Sequence, residues 1–191
     1  MKIGLEGIII ILISLIFFYF IYITYINNKL EKIVSKIDDR EYLVQDKIDS
    51  QEAADLIAKI RQKIQILKEH LNKSYPDDER IKLLNENLDL NNLKEGIDNP
   101  NYTSYSINKG EQIVLCLRNE DKLMDINTMM FVILHELGHV ITIDIGHTPN
   151  FWENFRWLLE ESINIGIYSK QDFDKKPVEY CGMNITSSPL D

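Results

Sequence analysis

Residues 135–139 read His-Glu-Leu-Gly-His, a spacing that could bind a metal ion and activate water. They end an apolar run, residues 129–134, that predicts a buried helix. Side chains four residues apart lie on one face of a helix, so His135 and His139 could hold one zinc ion. Glu136 would project beside them as a general base. A buried helix that carried the histidines by chance would leave imidazole and carboxylate groups without a common partner, which is costly.

A third metal ligand must come from elsewhere, because a catalytic zinc usually has three protein ligands and one open position. One candidate is His147, since Gly146 before it permits a tight turn back toward the metal. The alternative is a carboxylate, Glu160 or Glu161, on a helix predicted from residue 149 to about residue 167. The residues alone leave both ligand sets open.

Two β-prone runs precede the motif helix. Residues 102–107 and 112–117 flank a glycine-containing turn at 108–111, which predicts a β-hairpin. Its open edge could pair with an extended peptide and align a scissile bond over the metal. A purely structural hairpin explains the same pattern.

A long helix is predicted to begin near Asp49 and to end before Pro76. Its apolar residues alternate four and three apart, which is typical of a stripe that faces a core or a short coiled-coil seam. Packing on the rest of the domain is the simpler interpretation. His70 lies off this stripe and is expected to be exposed.

The amino terminus indicates a membrane anchor. Residues 8–26 carry no charge and nearly match the thickness of a hydrocarbon core, and residues 1–7 form a short tail before them. A cleaved signal would have a shorter apolar core, a more basic start and a small-residue cleavage site. Residues 27–48 are predicted to be a polar connector. Its lysines and arginine outnumber Lys2, so the positive-inside tendency predicts a cytoplasmic carboxyl-terminal domain.

Composition narrows the partners and the compartment. A net charge of −9 argues against a nucleic-acid-binding surface, because phosphate contacts require clustered Lys and Arg. The expected partners are the lipid bilayer and a protein or peptide substrate. Cys116 and Cys181 are too few for a disulfide framework and lack C-x-x-C spacing. They are expected to be small buried apolar residues in a reducing compartment.

The motif and the residues after it resemble one group of enzymes. His-Glu-Leu-Gly-His, followed by His147 and then Phe151-Trp152, is similar to the minimal zinc metallopeptidases of the WLM, SprT-like and YgjP-like group. The stretches at 146–155 and 177–182 look most like those of short metallopeptidase-like proteins of large DNA viruses. The resemblance covers residues 50 to 190, so the apolar amino terminus lies outside it.

The resemblance implies an α+β fold: a small, mostly helical zincin-like domain over residues 49–191, with a β-hairpin or a small antiparallel sheet. It implies one Zn²⁺ ion held by His135, His139 and His147, and Glu136 as the catalytic residue that activates water. It therefore favours His147 over a carboxylate as the third ligand.

Three further residues are candidates for supporting roles. Tyr180 could help to hold the oxyanion, although it could equally be a packing residue. Glu160 and Glu161 could orient a ligand histidine by contacting its ring without binding the metal, or could simply be solvated.

The predicted function is that of a membrane-anchored zinc-dependent metallopeptidase, encoded by a virus. The alternative is a non-catalytic membrane scaffold or virion membrane protein, since a bound metal adds folding free energy to a small domain. Glu136 favours the enzyme, because a purely structural site needs no base. The crosslink repair performed by some SprT-like and WLM proteins is not expected, because the chain lacks their basic DNA-binding segments.

Overall fold

The structure is a computed structural model that describes residues 4–27, 29–97 and 103–191. Tyr102, the predicted first residue of the hairpin, lies outside these ranges, as do residues 1–3 of the predicted tail and Asn28 of the predicted connector. The described part is a mixed α+β fold with five α-helices and several small sheets. The predicted α+β class is therefore confirmed.

The first helix, α1 (Leu5–Asn27), is exposed over residues 8–22. Within the described residues it is the one helix long and apolar enough to cross a membrane, over Gly7–Thr24. A signal sequence near the amino terminus would meet the same criterion.

The predicted polar connector at 27–48 is wrong, because most of it folds as a hairpin. Strands β1 (Leu30–Val34) and β2 (Glu41–Gln45) pair antiparallel, and Tyr42 and Val44 of β2 are buried. Both strands contact the following helix. Their apolar positions alternate with charged ones over only five residues, a pattern too short to distinguish from a polar linker.

Helix α2 (Ser50–Ser74) confirms the predicted long helix and its core-facing stripe. The stripe packs within the domain, and its fully buried members are Ala53, Ile57, Ile60, Ile64 and Leu71. A short helix, α3 (Glu79–Asn87), begins after Asp78, whose carboxylate accepts a hydrogen bond from the Arg80 backbone N–H. Together with α4 (Ile126–Val140) and α5 (Pro149–Asn164), these helices enclose most of the core.

A three-stranded sheet lies beside these helices. Its order is β3 (Leu93–Glu95), β5 (Gln112–Leu115), β4 (Tyr105–Ile107), so β4 is an edge strand in the described part of the chain. The antiparallel β4–β5 hairpin confirms the predicted one. The sheet is mixed, however, because β3 joins β5 in parallel.

Two small hairpins complete the fold, and a disulfide joins their region to the end of β5. They are β6 (Arg118–Asn119) with β7 (Lys122–Leu123), and β8 (Val178–Tyr180) with β9 (Met183–Ile185). Cys116 is bonded to Cys181, 65 residues away in sequence. The expectation of two unpaired thiols is therefore wrong: the fold brings the β8–β9 turn against the end of β5, which no local pattern reveals.

Candidate metal centre

Helix α4 carries the candidate metal centre. It begins after Asp125, whose side chain accepts hydrogen bonds from the backbone N–H groups of Asn127 and Thr128, as an N-cap residue does. The apolar run that follows is buried on every side. The helix ends at Val140, and residues 141–148 form a loop to α5.

His135 and His139 lie one turn apart on α4, and the α4–α5 loop brings His147 to them. The nearest ring nitrogens of the three histidines all lie within 4.8 Å of one another. His147 Nε2 is 3.0 Å from His135 Nε2. Tetrahedral zinc with Zn–N bonds near 2.1 Å requires ligand nitrogens about 3.4 Å apart. The donor type and the spacing of the three residues therefore fit a zinc ion.

Aromatic side chains from α5 hold the histidines in place. The Phe151 ring stacks on His139 with centroids 4.2 Å apart. Trp152 lies beside His147, with its ring centroid at 5.6 Å. Gly138 allows this approach, since a Cβ there would lie 3.0 Å from Phe151 Cε2. The glycine of the motif is therefore a packing requirement.

Polar contacts fix the loop that carries His147. Gly146 has φ +84°, a left-handed conformation that favours glycine and turns the chain back toward α4. Asp144 accepts hydrogen bonds from Thr148 Oγ1 at 3.2 Å and from Asn150 Nδ2 at 2.8 Å. The Lys109 ammonium, from the β4–β5 turn, donates to the carbonyls of residues 142 and 143 just beyond the end of α4. A cation at this position also interacts favourably with the helix dipole.

The two motif histidines are held neutral. Burial lowers the pKa of His135 to about 3, with added repulsion from His139 and His147. Burial likewise lowers the pKa of His139 to about 4, with smaller effects of His147 and Lys109. A neutral imidazole is the form that binds a metal, so this part of the site is ready for an ion at neutral pH.

Glu136 is a buried carboxyl group at the edge of the cleft, only 7% exposed. Burial raises its pKa to about 7, although hydrogen bonds from the backbone and side chain of Ser106 act in the opposite direction. Ser106 is the central residue of β4, so the edge strand contacts the carboxyl group directly. A carboxyl group whose pKa lies near neutrality can both accept and return a proton.

The two alternative carboxylates occupy other places. Glu160 is exposed and pairs with Arg156 at 3.0 Å. Glu161 is buried, 2.7 Å from His70 Nε2 and 2.8 Å from the Tyr75 hydroxyl. His70 was expected to be exposed but is half-buried in this contact. Neither glutamate belongs to the histidine cluster that the described residues form.

Tyr180 is buried at 2% exposure and lines the same cleft as the histidines. Its hydroxyl lies 2.5 Å from Ser104 Oγ and donates to the Cys116 carbonyl at 3.0 Å. Burial, which is the main cause, raises the pKa of this phenol. The hydroxyl is thus engaged with the opposite side of the cleft.

The histidines and Glu136 open into a cleft of about 620 Å³. It is lined by residues 103–106, which include Tyr105 and Ser106 of β4, and by residues 183–187, which include β9. Phe131 and Val132, one turn before His135, form an apolar part of its floor. This volume is typical of sites that enclose a ligand group or a short stretch of a chain.

Sequence reasoning missed Ser106, Lys109 and Asp144. Ser106 and Lys109 reach the site from the hairpin, across a sequence distance that no local spacing encodes. Asp144 sits in a Thr-Ile-Asp-Ile-Gly-His-Thr stretch whose Asp and Thr could have predicted a side-chain-stabilised turn.

The fold and the site together define a small α+β domain built around a buried histidine helix and an open cleft. The sequence profile of the WLM domain matches residues 37–189, which is most of the chain. The chain belongs to the WLM domain family.

Relatives and a solved structure extend this comparison. The chain is 35% identical over 164 residues to "Uncharacterized protein R325" of Acanthamoeba polyphaga mimivirus, covering 83% of each protein. It is 42% identical over 103 residues to "Uncharacterized protein 042R" of Invertebrate iridescent virus 3, covering 52% of this chain and 60% of that one. The crystal structure of Wss1 from Saccharomyces cerevisiae aligns with a TM-score of 0.48 at 22% identity, covering 64% of this chain and 87% of that one.

Proposed function

We propose that this protein is a membrane-anchored, zinc-dependent metallopeptidase encoded by a virus. The observation that carries the proposal is the cluster of three histidines within 4.8 Å, next to a buried Glu136 at an open cleft. Membership of the WLM family favours a protease, and its relatives in mimivirus and an iridescent virus favour a viral origin. The domain would then have a zincin-like arrangement, with two ligands on one helix and the third downstream.

His135, His139 and His147 would hold the zinc ion through neutral ring nitrogens. A bound zinc ion supplies Lewis acidity toward a peptide carbonyl and toward water. Glu136 would take a proton from the attacking water and return it to the leaving amine. Ser106 would keep the Glu136 carboxylate oriented through its backbone and side-chain hydrogen bonds.

The polypeptide substrate would lie along β4. An edge strand offers backbone N–H and C=O groups to an extended chain, and this one forms a side of the cleft. Tyr180 would support the opposite side, since its hydroxyl is already hydrogen-bonded to Ser104 and the Cys116 carbonyl.

Helix α1 would anchor the domain in a bilayer, which makes lipid one partner and a membrane-associated protein the substrate. The lysines after α1 favour a cytoplasmic domain. The net charge of −9 favours a function without direct nucleic-acid binding. Protease protection of intact membranes, probed with an antibody against the carboxyl terminus, measures the orientation. In sealed vesicles that keep the cytoplasm inside, a cytoplasmic domain is protected from added protease. Digestion of the domain in such vesicles would contradict the predicted orientation.

The decisive experiment uses the full chain in detergent micelles or nanodiscs, with zinc content and casein cleavage measured together. Glu136→Gln should keep one zinc per chain and lose cleavage by 10²-fold or more, a loss on the order of that for a general base. His147→Ala should lose zinc. Glu160→Gln, which removes an exposed carboxylate from α5, is the matched control and should change neither quantity.

Each outcome has a definite meaning. Cleavage by Glu136→Gln at the wild-type rate would contradict the mechanism. Full zinc binding with no cleavage of casein or of a peptide library would support a zinc-stabilised scaffold instead.

A further inference from the structure

The cleft has a second side that the proposed mechanism does not explain. Residues 183–187, which include β9, line the cleft together with Tyr105 and Ser106 of β4. Met183 at its rim is 49% exposed, while Ile185 is buried beneath. A polypeptide lying along β4 would be enclosed only if this side stays in place.

The hairpin that forms this side has little regular structure to support it. Strands β8 and β9 have three residues each and, in the described part of the chain, pair only with each other. Residues 165–177 before them and 186–191 after them form no helix or strand. Tyr180 and Ile185 are buried in the core and β8 contacts β6. An isolated two-stranded hairpin is at best marginally stable in water, so this one depends on such attachments.

Its disulfide and the side-chain hydrogen bonds that the described residues show lie at its turn. Cys181, in the β8–β9 turn, is bonded to Cys116 just beyond β5. The neighbouring Tyr180 hydroxyl donates to the Cys116 carbonyl and is hydrogen-bonded to Ser104, which in turn accepts from the Cys116 backbone N–H. The disulfide thus joins the β8–β9 turn to the end of β5, where Ser104 and Tyr180, which line the cleft, are also hydrogen-bonded to Cys116.

The metal centre is built from other elements. His135 and His139 lie on α4, and His147 lies on the α4–α5 loop, which is held by Lys109 and Asp144. None of these contacts passes through the disulfide. The histidine cluster and the β8–β9 hairpin can therefore be perturbed separately in experiments.

We propose that Cys116 and Cys181 are positioning residues, whose disulfide holds the β8–β9 hairpin as the second side of the substrate cleft. Substrate binding then depends on the oxidation state of this pair, while zinc binding does not. This inference rests on the proposed peptidase function, because it concerns the binding of the peptidase substrate.

The chemistry is thiol–disulfide exchange. Two glutathione thiols reduce the bond, which yields the Cys116 and Cys181 thiols and one glutathione disulfide; the reverse reaction returns two electrons and two protons to glutathione. On the cytoplasmic side predicted above, the glutathione pool opposes the bond, so its state is set by the local redox conditions.

Kinetics of the full chain in nanodiscs test the proposal, with fluorescein-labelled casein as substrate. The oxidised protein, the protein reduced with a phosphine and then desalted, and the protein reoxidised with glutathione disulfide are compared. Reduction should raise KM at least fivefold and change kcat less than twofold, because binding that is equal in ground and transition states is lost. Zinc content should stay at one per chain, and reoxidation should restore KM.

The matched control is the double variant Cys116→Ser/Cys181→Ser. It should show the KM of the reduced protein and should not respond to the phosphine. A response of this variant would mean that the reductant acts elsewhere, which would overturn the proposal.

Hydrogen exchange gives a second test that needs no cleavage. Amides of residues 178–187 should exchange faster after reduction, while those of α4 and α5 should not change. Equal exchange and equal KM in both states would overturn the proposal, and so would loss of zinc on reduction.

The two hypotheses fail differently. If the oxidised wild type cleaves nothing, the proposed function fails. The exchange measurement, and casein binding to Glu136→Gln followed by fluorescence anisotropy, would still decide whether the disulfide positions this side of the cleft.

Discussion

At the scale of single residues, Gly138 sets how closely α5 approaches α4. A Cβ at this position would lie 3.0 Å from Phe151 Cε2 and 3.4 Å from Phe155 Cβ. Gly138→Ala gains roughly 0.5–1 kcal/mol of helix propensity, but overpacking a core typically costs about 1–3 kcal/mol. We expect net destabilisation of about 1 kcal/mol, measured by urea denaturation of the metal-free protein.

The same substitution should weaken zinc binding, because Phe151 stacks on His139 and would have to move. Competition with a chelator of known affinity measures this effect. A gain in stability with unchanged zinc affinity would show that α5 can move aside and that the glycine is dispensable.

Glu136 makes the stability of the metal-free protein depend on pH. Burial raises its pKa from 4.5 to about 7, so the folded state is favoured at low pH and loses stability as pH rises toward 7. Glu136→Gln removes this loss. The stability advantage of the variant over wild type should be roughly 2 kcal/mol larger at pH 7 than at pH 5.

Urea denaturation at the two pH values measures this difference, after zinc has been removed from both proteins. The neighbouring histidines are present in both, so their titration largely cancels in the comparison. A variant whose advantage is the same at pH 5 and pH 7 would contradict the burial of this carboxyl group.

At the scale of elements, the β4–β5 turn supports the carboxyl-terminal end of α4. Lys109 Nζ donates at 2.7 and 2.6 Å to the carbonyls of residues 142 and 143. Hydrogen bonds to a charged group contribute about 1.5–3 kcal/mol in favourable cases, and partial exposure reduces this. Lys109→Met should therefore destabilise the domain by about 1 kcal/mol and loosen the loop that carries His147.

Thermal denaturation and zinc affinity together test the role of Lys109. Lys59→Met, on the exposed face of α2, is the control for loss of a lysine charge and should have little effect on either. Equal zinc affinity in Lys109→Met and wild type would mean that the loop holds His147 without the turn.

Elements with a clear period could be predicted from the sequence, and elements defined by distant contacts could not. The stripe of α2 and the apolar run of α4 each span several turns, and both helices were predicted. The β1–β2 hairpin and β3 are short and half polar, so only their burial against α2 and β5 reveals them. The three histidines were identified by spacing, by a glycine turn and by family resemblance, whereas Ser106 and the Cys116–Cys181 pair depend on which strands become neighbours.

At the scale of the whole molecule, the domain begins almost directly after α1. Helix α1 ends at Asn27, and β1 begins at Leu30, where Asp46 N–H donates to the Lys29 carbonyl. Only residues 28 and 29 therefore separate the apolar helix from the β1–β2 hairpin in sequence. If α1 spans a bilayer, the cleft stays within about one domain diameter of its surface, which would restrict substrates to proteins near the membrane.

The β1–β2 hairpin makes the position of the domain boundary testable. A fragment of residues 29–191 should fold and bind zinc, whereas a fragment of residues 49–191 should be destabilised by several kcal/mol. The shorter fragment loses the buried Tyr42 and Val44 side chains, each of which contributes roughly 1.5–3 kcal/mol. It also loses the Gln45 backbone N–H, which donates at 2.7 Å to the buried Glu95 carboxylate. Of the two partners of Glu95, Gln45 and Arg118, only Arg118 would then remain.

Urea denaturation of both fragments, with zinc content measured in parallel, checks this boundary. The free energy of unfolding of Tyr42→Ala in the longer fragment should fall between those of the two fragments. This variant loses the largest buried side chain of the hairpin but keeps the Gln45–Glu95 hydrogen bond. If residues 49–191 were as stable as residues 29–191, the hairpin would be an appendage and the domain would begin at α2. The expected loss instead makes the hairpin part of the same cooperative unit as α4, so that the β1–β2 hairpin also supports the histidine cluster.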